Sequence, residues 1–172
     1  MAYYYLISSL PMLKADGAIP LSYDRFLELC QGALEEDKYR MLKELTLSSG
    51  KGPLVSEWAE FYGTFKDELT YQRNLRLGRK AKLPDVRNDS VSKTVTSALN
   101  SKNPLAAEEM LLDLEFKKLD ELVGVHYFDD YALFGYALKL KLLERKNSFD
   151  KEQGKAEFGR IVTRLEDEIT NM

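Results

Sequence analysis

Hydrophobic residues recur every three or four positions along most of this chain, which is the spacing that places them on one face of a helix. Stretches with helical spacing cover residues 25–34, 37–45, 55–83, 91–100, 104–123, 130–146 and 151–169, the fourth being weak and rich in serine and threonine. The first residues differ, because Tyr3 to Ser9 are rich in β-forming types. We therefore predict an all-α fold, an irregular bundle of about six helices with a short extended N-terminal segment.

Capping residues indicate where several of these helices start and stop. Ser22 is a good N-cap for the first helix, and Asn103-Pro104 is typical of a helix start. Gly124 is expected to cap the C-terminal end of the helix that begins at Pro104. These three signals make the ends of two helices predictable from local chemistry.

Two helices differ in the arrangement of their apolar residues. The helix at 130–146 is apolar around nearly its whole circumference, which is typical of a helix at the centre of a bundle. The helix at 151–169 has one apolar stripe, so we expect it to pack with a single face on the rest.

Pro84 and the polar residues 85–90 interrupt the chain after the long predicted helix. This break is the best candidate for a boundary within the chain. Two organisations stay open: a single helical domain over residues 1–172, or two lobes over residues 1–84 and 90–172.

Composition narrows the class of protein. Of the 172 residues, 44% are hydrophobic and 31% are charged, which suits a packed core, and the net charge of −3 argues against general nucleic-acid binding. No run approaches the ~20 apolar residues that span a bilayer, and no signal peptide is recognisable. A lone Cys30 suits a reducing compartment, so we expect a cytoplasmic protein in which Cys30 is a small buried hydrophobe.

The strongest candidate for a functional surface is a basic cluster at the end of the long predicted helix. Its members are Arg73, Arg76, Arg79, Lys80 and Lys82. The spacing of Arg73, Arg76 and Arg79 or Lys80 predicts one broad basic helix face. Four interpretations stay open: a contact with an acidic partner, a contact with a nucleic-acid backbone, solvated charges that complement the helix dipole, or an internal ion-pair network with Glu108, Glu109, Asp113 or Asp120.

Arg76 has a second possible role, because it lies five helix turns after Trp58 and continues the apolar stripe of Trp58, Tyr62 and Phe65. A guanidinium in that position must meet an acidic group, water or another molecule. Glu109 is equally out of place on the apolar face of the helix at 104–123. We predict that Arg76 and Glu109 form an internal ion pair between neighbouring helices.

The sequence contains few residues in arrangements that are typical of enzyme active sites. The only histidine, His126, lies near Asp129 and Asp130, but a zinc site needs several histidine or cysteine ligands, so a role at a helix junction is the simpler interpretation. Neither a nucleophile elbow nor a phosphate-binding glycine loop is present. We therefore predict a protein that is not an enzyme, with no catalytic residue, no bound metal and no cofactor.

Several segments spread over the chain resemble an uncharacterised bacterial family, a domain of unknown function. They are Tyr4–Leu13, Phe26–Cys30, Glu68–Leu69, Arg73–Arg76, Glu108–Glu109, Leu111–Asp113, His126–Phe128, Tyr136–Leu140, Leu143–Arg145 and Phe149. Genes of that family tend to lie in V-type ATPase operons, near the place expected for the helical adaptor of the central stalk. The resemblance implies a non-catalytic helical adaptor or accessory subunit of a bacterial V-type ATPase.

The resemblance also implies partners. The helical adaptor of the central stalk sits on the rotor ring and receives the central shaft, so those V-type ATPase subunits are the expected partners. Nucleic acid is not expected, and the membrane is reached only through the complex, at the inner membrane. The stalk adaptor is longer and contains repeated helical units, so a chain without a visible repeat would be a trimmed homologue or a homodimer. The alternative is a small regulatory module that binds RNA or an acidic partner through the basic face Arg73–Lys82.

Overall fold

The computed structural model describes residues 3–148 and residue 160, and these residues contain seven helices and no strand. The helices are α1 (Tyr3–Ser9), α2 (Tyr23–Cys30), α3 (Glu36–Lys43), α4 (Val55–Arg76), α5 (Asp89–Asn100), α6 (Pro104–Val123) and α7 (Asp130–Ser148). The predicted all-α fold is confirmed. The helix predicted at 151–169 lies outside the described residues, apart from Arg160. Within the described part of the chain, no helix combines the length and the apolar character needed to cross a bilayer.

Helix α7 lies at the centre of the larger hydrophobic core, which we term the main core. Its buried residues include Leu133, Phe134, Leu138 and Leu142, which point to more than one side of the helix. Helices α1, α2 and α6 all pack against it. The prediction of a central helix is confirmed, because a helix that is apolar all round leaves water only when other helices surround it.

Close approach of α6 to α7 explains a glycine in the middle of α7. Gly135 is buried, and a Cβ atom at this position would collide with the side chain of Val123 on α6. A glycine inside a helix costs about 1 kcal/mol relative to alanine. The closer helix contact offsets that cost.

A second group of buried residues, which we term the small core, lies between α4, α5 and α6. It consists of Phe65, Val91, Val95, Ala98 and Leu111. Phe61 and Tyr62 pack against both cores, so the two cores are continuous along α4. The division of the chain into lobes at residues 84–90 stays a prediction.

The prediction of an extended N-terminal segment is wrong, because Tyr3–Ser9 forms α1. Leu6 is buried in the main core, and Ile7 and Leu10 pack beside it at helical spacing. The hydroxyl of Ser9 donates a hydrogen bond to the carbonyl of Leu6 at 2.7 Å. Packing of this face overrides the β propensity of the tyrosines, which is a weak and context-dependent preference.

The long helix α4 ends at Arg76, although helical spacing predicted an end at residue 83. Gly78 adopts a left-handed conformation with φ of 67°. Its N–H donates to the carbonyl of Leu75 at 3.0 Å, and the N–H of Arg79 donates to the carbonyl of Asn74 at 2.9 Å. This pair of bonds is the Schellman motif, which ends a helix just before a glycine.

The predicted caps of α2 and α6 are confirmed. The Ser22 hydroxyl accepts from the N–H of Arg25 at 3.2 Å, and the Asn103 side chain accepts from the N–H of Leu105 at 3.0 Å. Gly124 ends α6 with φ of 51°. These ends were predictable because each depends on one residue and its immediate neighbours.

Cys30 is a free thiol that is fully buried in the main core. Burial raises its pKa to about 12, so the thiolate that would react is scarce at neutral pH. The prediction of a small buried hydrophobe is confirmed.

Candidate docking surface and its buried anchor

The structure divides the five predicted basic residues between a helix and a loop. Arg73 and Arg76 lie in the last turn of α4, whereas Arg79, Lys80 and Lys82 follow the Schellman motif in the loop before α5. The prediction of one continuous helix face is therefore wrong, because Gly78 turns the chain between the two groups.

The last turn of α4 and the loop that follows it form an end of the molecule that we term the basic tip, residues 73–87. Arg73, Arg76, Arg79 and Lys80 are exposed there, and none has an ion-pair partner among the described residues. Lys82 differs, because it pairs with Asp85 at 3.1 Å on the surface. The basic tip thus presents four cations that the described residues leave unneutralised.

Exposed apolar side chains accompany these cations. They are Leu75, Leu77, Leu83 and Val86, with exposed fractions between 52% and 67%. Single exposed leucines are ordinary, but apolar side chains concentrated at a helix end and in the loop after it, beside arginines, are typical of surfaces that contact another protein.

The loop of the basic tip folds back along the side of α4. A groove of about 300 Å³ lies between the two, lined by Asp67, Tyr71 and Asn74 from the helix and by residues 81–85 from the loop. This position requires a contact that holds the loop to the helix.

A buried carboxylate on α4 provides that contact. Glu68 is only 1% exposed, and it accepts hydrogen bonds from Nε of Arg87 at 3.1 Å and from Nη2 of Arg87 at 3.0 Å. Gln72 donates a further bond to Glu68 at 2.6 Å. The paired bonds match the planar fork of a guanidinium to the two oxygens of a carboxylate, so they fix the end of the loop in one orientation.

The Glu68–Arg87 pair is charged at neutral pH. Burial by itself raises the pKa of Glu68, but hydrogen bonds from Arg87, Gln72 and Ser92 outweigh that effect and hold the pKa below its usual value of 4.5. The hydrogen bonds to Glu68 and its negative charge raise the pKa of the Arg87 guanidinium. Arg87 also lies over the ring of Tyr71, with 5.9 Å between the guanidinium carbon and the ring centroid.

A second buried carboxylate joins α6 to α7. Glu115 is fully buried, and it accepts hydrogen bonds from Arg145 at 2.9 Å and 2.5 Å. Burial raises the pKa of Glu115, and the two bonds from Arg145 oppose the rise. The pair belongs to the packing of the two long helices.

The predicted ion pair between Arg76 and Glu109 does not form, because both side chains are exposed and neither has an ion-pair partner among the described residues. The buried glutamate of α6 is Glu115 instead, which lies three residues after Leu112 and four before Leu119 on the buried face of the helix. That spacing is the signal that sequence analysis missed.

His126 lies in the loop between α6 and α7, where its Nδ1 is bonded to Asp129 and its ring stacks on Tyr131 with 4.5 Å between centroids. Asp129 caps α7 by accepting from the N–H of Ala132 at 3.2 Å. The predicted role of His126 at a helix junction is the one seen. Among residues 3–148 and residue 160, no group of three metal-ligating side chains is found.

The fold and the basic tip together define a helical protein with an exposed basic and apolar end. Residues 88–169 match the model of a family described as a protein of unknown function (DUF2764). The match begins at the N-cap of α5 and includes α5, α6 and α7. No curated protein and no solved structure matches the chain.

Proposed function

We propose that this protein is a non-catalytic helical adaptor that binds an acidic protein partner through the basic tip. The observation that carries the proposal is the exposure of Arg73, Arg76, Arg79 and Lys80 next to exposed leucines, without ion-pair partners among the described residues. A partner surface with carboxylates around an apolar centre would neutralise the cations and remove the leucines from water.

The side chains of the basic tip favour a protein partner over RNA. Proteins that bind single-stranded RNA stack its bases on exposed aromatic rings. The exposed apolar side chains of the tip are aliphatic, and Tyr71, which lines the groove beside the tip, is half-buried beneath Arg87. Only the positive charge of the basic tip therefore supports the alternative, a regulatory module that binds RNA.

The resemblance to a family encoded in V-type ATPase operons suggests the identity of the partner. We propose an accessory or central-stalk subunit that contacts the rotor ring or the shaft of a bacterial V-type ATPase on the cytoplasmic side of the membrane. Such a role needs a rigid spacer rather than a catalyst. The fold is suited to it, because α4, α6 and α7 are long helices packed around continuous cores.

Co-purification from native membranes tests this proposal. The tagged full chain should recover V-type ATPase subunits, identified by mass spectrometry, and a variant with Arg76→Glu, Arg79→Glu and Lys80→Glu should lose most of them. A matched control changes Lys93, Lys102 and Lys117 to glutamate, because these lysines are also exposed and the change in charge is the same. If the variant with reversed charges at the basic tip still recovers these subunits, or if the control variant loses them equally, the proposed surface is contradicted.

The same experiment also distinguishes the general proposal, an adaptor that binds an acidic protein, from the specific proposal of a V-type ATPase subunit. Recovery of a different acidic protein through the tip would retain the adaptor and reject the V-type ATPase. Binding of a labelled single-stranded RNA, steeply weakened by salt and lost in the tip variant, would replace both with the regulatory module.

A further inference from the structure

A second exposed surface consists of aromatic and apolar residues from α1 and from the loop between α6 and α7. Its members are Tyr4, Tyr5, Val125, Tyr127 and Phe128. The rings of Tyr4 and Phe128 are in contact, with 4.7 Å between centroids, and this contact joins the two segments. We term this surface the aromatic end.

The aromatic end lies at the opposite end of α4 from the basic tip. The hydroxyl of Tyr131 donates to Glu57 in the first turn of α4 at 2.9 Å, and His126 stacks on the same tyrosine. The first turn of α4 is therefore next to the loop that contains Tyr127 and Phe128. A helix of 22 residues that rises ~1.5 Å per residue places its two ends about 33 Å apart.

The aromatic side chains at this end are too exposed to serve the core. Tyr5 is 82% exposed and Tyr127 is 68% exposed, whereas Leu6 makes the core contact of α1. Tyrosine offers a large apolar ring with a polar tip, which is why it is enriched at protein contacts. An exposed group of such rings marks a contact surface.

Carboxylates give the aromatic end a negative charge. Glu35 and Glu36 are exposed and have no ion-pair partner in the described part of the chain. Both lie at the start of α3, about one turn before Lys38, and the ion pair of Lys38 with Asp130 holds the start of α3 beside the start of α7 and the loop that contains Phe128. The cation of the same helix turn is already engaged, since Lys38 pairs with Asp130.

We propose that the aromatic end is a second docking surface, and that its partner is a basic segment with an apolar face from another protein. Aromatic rings attract lysine and arginine cations through their faces, and Glu35 and Glu36 supply complementary charge. The chemistry is the reverse of that at the basic tip, so the chain would join two partners of opposite charge across the length of α4. This inference goes beyond the proposed function, because it concerns the other end and does not depend on it.

Titration with a synthetic helical peptide tests the second surface. The probe has about twenty residues with leucine at helical spacing on one face and lysine elsewhere, carries a fluorescent label, and has a matched version with glutamate in place of lysine. The full chain should bind the lysine peptide and not the glutamate peptide. Tyr5→Ala with Tyr127→Ala should weaken binding at least about tenfold, whereas Leu77→Ala with Leu83→Ala at the basic tip should leave it unchanged.

A second pair of substitutions guards against a folding defect. Glu35→Lys with Glu36→Lys alters a different element and should also weaken binding of the lysine peptide, while circular dichroism shows unchanged helix content. Absence of binding, equal binding of both peptides, or binding that survives the tyrosine substitutions would overturn the proposal. So would self-association in sedimentation velocity that the tyrosine substitutions abolish, because a second copy would then occupy this end.

Discussion

The main core and the small core each lie beside a buried glutamate that is paired with an arginine. The two ion pairs connect different kinds of structural element. Glu115 and Arg145 both come from long helices, so their pair fixes how α6 packs on α7. Glu68 comes from a helix and Arg87 from a loop, so their pair fixes a loop. The arginine side chains reflect this, because Arg145 is 28% exposed and Arg87 is 44% exposed.

The difference separates an ion pair that joins two packed helices from an ion pair that positions an exposed loop. A buried ion pair is often no more stabilising than an apolar pair of the same volume. Stability alone therefore does not explain why such a pair is present. For the Glu68–Arg87 pair the reason is visible, since the loop that it anchors holds Arg79, Lys80 and exposed apolar side chains next to the last turn of α4.

The largest effect is expected from Arg145→Met. The substitution leaves the carboxylate of Glu115 buried without its partner, so the free energy of unfolding should fall by about 3–5 kcal/mol, measured by urea denaturation. Replacing both residues, as Glu115→Leu with Arg145→Met, should recover most of the loss because no charge then remains buried. A single variant as stable as the wild type would show that this pair does not belong to the interior.

A smaller effect is expected from Glu68→Gln. The amide loses the charge-assisted bonds to Arg87, but Arg87 can turn to water, so the loss should be about 1–3 kcal/mol in the same denaturation experiment. If Glu68→Gln lowered the free energy of unfolding more than Arg145→Met does, the pair that holds the loop would contribute more to stability than the pair that joins the helices, contrary to our expectation.

Gly78→Ala should cost about 1 kcal/mol, because an alanine at φ of 67° is strained while nothing else changes around it. Gly63→Ala is the matched control. Gly63 lies exposed in the middle of α4 with open space around it, so the same substitution there should stabilise the helix by about 0.5–1 kcal/mol. Equal effects of the two substitutions would contradict the Schellman end of α4.

The smallest effect concerns the pH dependence of stability, where the two glutamates should act in opposite directions. The folded pKa of Glu68 is below 4.5, so its contribution to stability is present above pH 4.5 and is lost as the pH falls below it. The folded pKa of Glu115 is raised, so its contribution favours folding near pH 4.5 and declines as the pH rises through that pKa.

Urea denaturation at several pH values measures these contributions. Glu68→Gln should reduce the loss of stability below pH 4.5, and Glu115→Gln should remove a gain in stability as the pH falls toward 4.5. Parallel pH profiles for the two variants would show that the environments of the two carboxylates are alike.

Local patterns in the sequence were sufficient to predict part of the fold. Asn103, Pro104 and Gly124 determine the ends of α6 through contacts with their neighbours, and the circumferential pattern of α7 predicts its central place. The end of α4 was missed because one left-handed residue, Gly78, interrupts a run of good helix formers.

The charged pairs show where sequence reasoning stops. The spacing of Glu115 within its apolar stripe indicates burial, but nothing local indicates that its partner is Arg145 on another helix. Arg87 is harder still, because the path of a loop decides which carboxylate it meets. The basic tip was located by composition, whereas its exposed leucines and its anchor came only from the three-dimensional arrangement.

Native-state amide hydrogen exchange of the Glu68→Gln variant, compared with the wild type, tests most directly the claim that the Glu68–Arg87 pair holds the presenting region and not the whole molecule. We expect the hydrogen-bonded amides of Gly78 and Arg79 in the basic tip, and those of α5 that follows it, to lose protection while those of α7 keep theirs. An equal loss in both helices, or unchanged protection of α5, would contradict it.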